Sequence, residues 1–235
     1  MSKMLSGWEA SCASSPALRF IDANLRGIGQ VMFQDNPLSG VLFLAAIFWG
    51  AVAAGMPAVA ICGVIGVVTS TLTARWLRAD DGMVRAGLYG FNGVLVGLAL
   101  ATFIAPGPLL ALYVILGAAV SVVTMSATAN ALKALGMPTL TFPFVIVTWL
   151  LLLASYGFAG LAGAALPAAD VVVPFEPMDP AQMAFGDFLQ ALLLSVSQVF
   201  LKASIPAALL FLAGLAVNSV PAAIAAVAGA AIAVL

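Results

Sequence analysis

Between Arg85 and Lys133 the chain runs for 47 residues without a charged side chain, and it does so again for 39 residues between Asp35 and Arg75 and for 36 between Lys133 and Asp170. After Lys202 no charge follows. A helix rising 1.5 Å per residue needs about 20 apolar residues to cross the roughly 30 Å hydrocarbon core of a bilayer. The four intervals therefore hold two, two, one and two crossings. Charged residues make up 7% of the chain, against roughly 25% in soluble domains, and mean hydropathy is +1.18. Such a chain cannot cover itself with polar surface, so its solvent is lipid and its fold class is an all-α membrane protein.

Several function classes drop out. A net charge of −1 offers no basic surface for nucleic acid. Histidine is absent, which removes the commonest metal ligand and acid-base group. No acid lies within a span, so no nucleophile and base pair forms; the reading is not an enzyme, with no metal and no cofactor. Cys12 and Cys62 read as free thiols. Met1 to Pro16 holds no apolar run of the kind a cleavable signal needs.

Taken in order, residues 1–16 read as a disordered or surface tail and 17–165 as a first repeat of five spans with a short re-entrant helix. Residues 166–187 form an acidic, proline-containing extracellular connector, and 188–235 a partial second repeat. The short helix, Phe20 to Gln34, reaches only about 22 Å and carries Asp22 and Arg26 one turn apart. Asn36-Pro37 ends it and starts the next helix, with Asn36 as N-cap and Pro37 in the first turn. Spans are expected at about Leu38–Ala54, Ala58–Trp76, Val84–Ile104, Leu109–Ala131 and Val145–Leu161. In the third, Gly87, Gly90, Gly93 and Gly97 share one side and admit a neighbouring backbone closely. Phe91 and Leu95 share another. Pro138 and Pro143 keep the stretch between the fourth and fifth spans irregular, which at membrane depth requires burial in protein or a water-filled cavity. Basic residues at the tail, in the 75–85 loop and at Lys133 fall on one side, which is cytoplasmic by the positive-inside rule.

A shift of 168 residues aligns Gln30-Val31 with Gln198-Val199 and Leu42-Phe43-Leu44-Ala45 with Leu210-Phe211-Leu212-Ala213. Five spans per unit is an odd number, so the second copy enters from the opposite face: an inverted-repeat transporter-type bundle. Asn36-Pro37 becomes Ser204-Ile205 with Pro206 one place later, so the cap chemistry is expected to be lost. The mates of Phe91, Leu95 and Thr141 would lie past Leu235, and the second repeat is expected to be incomplete.

At three stretches the sequence resembles the bacterial urea transporter family: Gln30 to Gly40, Gly87 to Leu95, and Pro138 to Phe144. The last matches the family's Leu-Pro-x-x-Thr-x-Pro-Phe signature with Met137 in place of leucine. Asn36, Pro37, Gly90, Asn92, Gly93, Pro138 and Pro143 are the structural residues of these motifs. The resemblance covers residues 25–165 and thins from 190 on. It implies a homotrimer in the bacterial inner (plasma) membrane, each protomer conducting urea through its own slot, with apolar walls and a row of oxygens for the N–H groups. Carried over by position, Phe33, Phe91 and Leu95 are walls, and Gln30 and Thr141 polar contacts. Gln198 and Leu201 occupy the places of the second-half mates; the family has an acid near Gln198.

On the residues alone, Gln30 is an interhelical hydrogen bond or a pore contact, and Phe91 with Leu95 is packing or a wall. Spans without charges suit a neutral solute, because buried charges mark ion or charged-substrate sites. Passive urea conduction competes with conduction of another small neutral solute, such as a short amide or ammonia. A non-conducting truncated homologue with an assembly role is the third reading.

Overall fold

The computed structural model describes residues 2–158, 160–164 and 184–234. Most of the expected connector, from 166 to 183, lies outside the described residues. The chain opens with α1 (Ser2–Ser14) and α2 (Pro16–Gln30). The tail is thus helical rather than irregular. Trp8 donates its indole N–H to Asp22 at 2.6 Å, and Cys12 is buried, so α1 is held down on α2. Ser15 caps α2 by accepting from Leu18 N, with Pro16 in the first turn. The expected i,i+4 pair forms: Arg26 Nε meets Asp22 at 2.7 Å, and its other nitrogen reaches Asp35 at 2.7 Å.

α3 (Pro37–Ala53) follows with Asn36 as its N-cap, Oδ1 accepting from Leu38 N at 2.9 Å. α4 (Pro57–Trp76) and the short α5 (Asp81–Arg85) lead into α6 (Gly90–Phe103). The third span therefore starts six residues later than the glycine pattern suggested. The cause is Gly87, whose φ of +75° is left-handed and whose Cβ, had it one, would lie 2.2 Å from Gly27 N. α7 (Pro108–Leu132) continues as a 3-10 turn (Lys133–Leu135) and α8 (Phe142–Ser155) ends the first unit. The described remainder is α9 (Phe185–Ser197), a 3-10 turn (Gln198–Phe200), α10 (Ile205–Asn218) and α11 (Val220–Val234). α9 begins inside the stretch assigned to the connector.

Among the described residues two helices are long and apolar enough to cross a membrane, Pro57–Trp76 and Pro108–Leu135. α3, α6, α8 and α11 are apolar but shorter, and α9 and α10 form one bent pair with a 72° break. α6 sits at the centre. Gly90 to Ala101 are all buried, and a helix apolar on every side belongs in a core. Its small residues face those of α4: a Cβ on Gly93 would lie 2.5 Å from Gly66 O, and one on Gly97 would lie 2.1 Å from Cys62 O. Backbones meet where larger side chains would hold them apart.

The 168-residue offset is visible in the backbone. Phe33 and Leu201, mates under that shift, are both left-handed, with φ of 58° and 56°. Phe33 N donates to Gln30 O at 3.0 Å, and Leu201 N to Gln198 O at 2.8 Å. The N-caps match as well, with φ −148° at both Asn36 and Ser204 and ψ of 121° and 123°. The cap is therefore not lost in the second copy: Ser204 Oγ accepts from Ala207 N. A hydroxyl and an amide oxygen perform the same task there.

The two copies pack about a local two-fold. Phe43 and its mate Phe211 meet edge to face with centroids 5.6 Å apart. Asn218 donates to Gln34 at 2.9 Å, and the mates of that pair, Gly50 and Lys202, also touch. Exchange of partners in this way is the signature of a two-fold contact. Ser39 donates to Gly214 O at 2.6 Å across the same seam.

Candidate permeation site

The site grows from two breaks in regular helix. At the end of α2 the chain doubles back: Met32 N and Gln34 N both donate to Gly29 O. In this copy the turn is too tight for a side chain at position 29, since a Cβ there would lie 2.4 Å from Gln34 O. This reversal leaves Phe33 at a tip, 73% exposed, in a left-handed conformation that costs a non-glycine residue about 1–2 kcal/mol. The second break is the 137–141 segment before α8, where Leu140 is also left-handed at φ 45°. Asn92, fully buried on α6, holds it from below. Asn92 Oδ1 accepts from Phe144 N at 3.1 Å, and Nδ2 donates to Leu140 O at 3.4 Å.

Between these breaks lies a cavity of about 320 Å³. Gln30, Phe33 and Phe91 line it with Met125, Pro138 and Leu140. Its lining carries no charge. Gln30 Nε2 donates to Ala86 O at 2.9 Å, which fixes the amide; among the described residues nothing donates to its Oε1. That oxygen is available to an N–H of a solute. The rest of the lining is mostly aromatic, thioether and aliphatic.

Phe33 also borders a second cavity, of about 510 Å³, that reaches the other copy through Gln34, Val199 and Asn218. Phe33 thus lines both cavities.

The structure brings Gln30, Phe33 and Phe91 together with the motif residue Pro138 and places the other expected pore residues outside this lining. Leu95 is buried in the main core, one turn beyond Phe91. Thr141 is exposed at the start of α8, its carbonyl accepting from Val145 N, next to Leu140 but outside the cavity lining. Gln198 and Leu201 are exposed at the break between α9 and α10 and line neither cavity. Sequence reasoning missed Met83, Met125 and Met137, which share the first cavity. Met83 and Met125 lie far apart in the chain with no local signal, while Met137 enters only as the departure from the motif's leucine. It also missed Lys202, which is 5% exposed with its stem packed on Gly50. Among the described residues no group of three His, Cys, Asp or Glu could hold a metal.

A bundle of apolar helices, interrupted around uncharged cavities and containing two copies of one break, is the architecture of an integral membrane protein. The model of the urea transporter family matches residues 21–235. The chain belongs to that family, whose members are transporters and not enzymes. It is 46% identical to urea transporter 1 of Rattus norvegicus over 86 residues, which is 37% of this chain and 21% of the rat protein. It is 38% identical to urea transporter 1 of Mus musculus over 130 residues, 54% of this chain and 33% of the mouse protein. With urea transporter 1 of Ovis aries the identity is 44% over 87 residues, 37% and 21% of the two chains. The chain spans a third or less of the length of these relatives.

Proposed function

We propose that this protein conducts urea passively across a membrane. The observation that carries the reading is the uncharged cavity lined by Gln30, Phe33 and Phe91, in which the Gln30 amide is fixed through its Nε2 and its Oε1 accepts from no described group. Urea is planar, neutral and rich in N–H donors. Moving each such group into hydrocarbon unsatisfied costs about 2–7 kcal/mol, so a fixed acceptor lowers the barrier where the walls exclude water. With no charge in the cavity lining, the solute is not held so tightly that release becomes slow.

Around that cavity the remaining expected residues take proposed places along the path. Leu95 backs the Phe91 wall, Thr141 offers a hydroxyl beside Leu140, and Gln198 and Leu201 present the break between α9 and α10. Protomers assemble as a homotrimer, as the resemblance implies, each with its own path. The membrane is the bacterial inner (plasma) membrane with the N-terminus cytoplasmic. The clustering of Arg19, Arg75 and Arg85 around one cavity supports that orientation.

Stopped-flow shrinkage of proteoliposomes in a urea gradient tests the reading. The expected result is rapid urea flux without an ion gradient, lowered several-fold by Gln30→Leu and by Thr141→Val. Flux equal to that of empty liposomes would overturn conduction. Wild-type flux in both variants would overturn the assignment of those oxygens.

A further inference from the structure

At the end of the molecule that carries the basic residues, a second and chemically different cavity opens between α2, α4 and α5. It has a volume of about 210 Å³ and is lined by Arg19, Phe20, Thr71, Arg75, Asp81 and Arg85, among others. We infer that this cavity binds the phosphate of an anionic phospholipid.

The charge balance points to an anion. Asp81 is already engaged, bridged to Arg85 at 2.5 Å. Arg19 and Arg75 form no ion pair among the described residues, so two arginines from separate helices border this space beyond the one that Asp81 pairs, although Arg19 also borders a neighbouring cavity with Glu9, Asp22 and Asp35. Arg75 also lies over the Phe20 ring, 5.9 Å from its centroid, which restricts the guanidinium without neutralising it. Planar forks converging from two elements match the oxygens of a phosphate.

The position points to a lipid as the source. Leu72, Arg75 and Trp76 share a face of α4 by their three- and four-residue spacing. Leu72 and Trp76 are 52% and 81% exposed. An apolar flank that ends in an exposed tryptophan marks the level of the headgroups. A phospholipid whose chain lies along Leu72 brings its phosphate to Arg75. Basic pockets between membrane helices on the cytoplasmic side take acidic lipid headgroups by this chemistry.

Native mass spectrometry of the full chain in detergent reads the site without reference to transport. The protein is titrated separately with dioleoyl phosphatidylglycerol, with dioleoyl phosphatidylcholine and with inorganic phosphate. The expected result is one phosphatidylglycerol per protomer, retained at lower concentration than phosphatidylcholine. Arg19→Gln and Arg75→Gln each weaken it about fivefold, as removal of one surface arginine should. Arg75→Lys keeps most of the affinity, and Arg78→Gln, outside the cavity, leaves it unchanged. Both neutralised arginines are exposed, so either variant serves if the other does not elute as the wild type does. Equal retention of the two lipids would overturn the inference. So would unaltered binding in R19Q and R75Q, or an equal loss in R78Q. Retention of inorganic phosphate at the lipid's concentration would overturn the lipid as its source.

Discussion

Asn92 and Thr148 are both buried polar residues on neighbouring helices, and replacing each by an apolar residue of similar size should move stability in opposite directions. Phe144 N belongs to the first turn of α8 and has no partner within its own helix. It bonds instead to Asn92 Oδ1, 52 residues earlier in the chain. Asn92→Leu conserves bulk but strands that N–H and releases Leu140 O. An orphaned buried donor costs about 1–3 kcal/mol. Interhelical hydrogen bonds in bilayers average about 0.6 kcal/mol because the unfolded chain finds other partners there. The lower part of the range therefore applies, and N92L should lose about 1–2 kcal/mol. Thr148 Oγ1 has no hydrogen-bond partner among the described residues. Thr148→Val should gain up to about 1 kcal/mol by removing an unsatisfied hydroxyl. The assay is unfolding by SDS titration in mixed micelles, with urea flux measured on the same preparations. N92L should also slow flux, because the 137–141 wall loses its support. Equal stability of N92L and wild type, or destabilisation in T148V, would refute the hydrogen-bond accounting.

Three further outcomes are expected. Gly93→Ala places a Cβ 2.0 Å from Ser70 Oγ and 2.5 Å from Gly66 O, so α6 must lift from α4; it should lower stability by about 1–3 kcal/mol in the same titration. Gly229→Ala, mid-helix in α11 with nothing within 4 Å, should raise it by about 0.5–1 kcal/mol. Ser39→Ala removes the bond to Gly214 O and should cost about 1 kcal/mol, read as a lower midpoint with unchanged slope.

The helices were legible because lipid leaves few options: long charge-free intervals bounded by arginine or proline can do little else. α4 (Pro57–Trp76) lies within a residue of the stretch read from sequence. Asn36-Pro37 was legible because a cap is local chemistry. The start of α6 was not. The spacing of Gly87, Gly90, Gly93 and Gly97 fits one helix face, yet Gly87 is spent on a left-handed turn against Gly27, a contact 60 residues distant that no local pattern encodes. For the same reason Gln30, Phe33 and Phe91 could be placed together while Met83 and Met125 beside them could not. Motif residues carry a signal, and the residues that fill the space behind them do not.

The second copy separates what the break requires from what it tolerates. Its left-handed residue, reversal and capping survive the exchanges Phe33 to Leu201, Gly29 to Ser197 and Asn36 to Ser204. At position 34 and its mate the chemistry differs: Gln34 bonds Asn218, whereas Lys202 lies buried against Gly50, its ammonium meeting no carboxylate among the described residues. A lysine at membrane depth costs about 2.5–3.5 kcal/mol on insertion scales. Packing of the apolar Lys202 stem on Gly50 offsets part of that cost. If the two-fold is the governing constraint, Lys202→Gln with Gly50→Asn rebuilds the Gln34–Asn218 pair at its mate position. The double variant should then be more stable than the sum of the single changes by about 0.5–1.5 kcal/mol. Strict additivity in the SDS titration would show that the two seams are not equivalent in energy, and the local two-fold would be reduced to a resemblance of backbone alone.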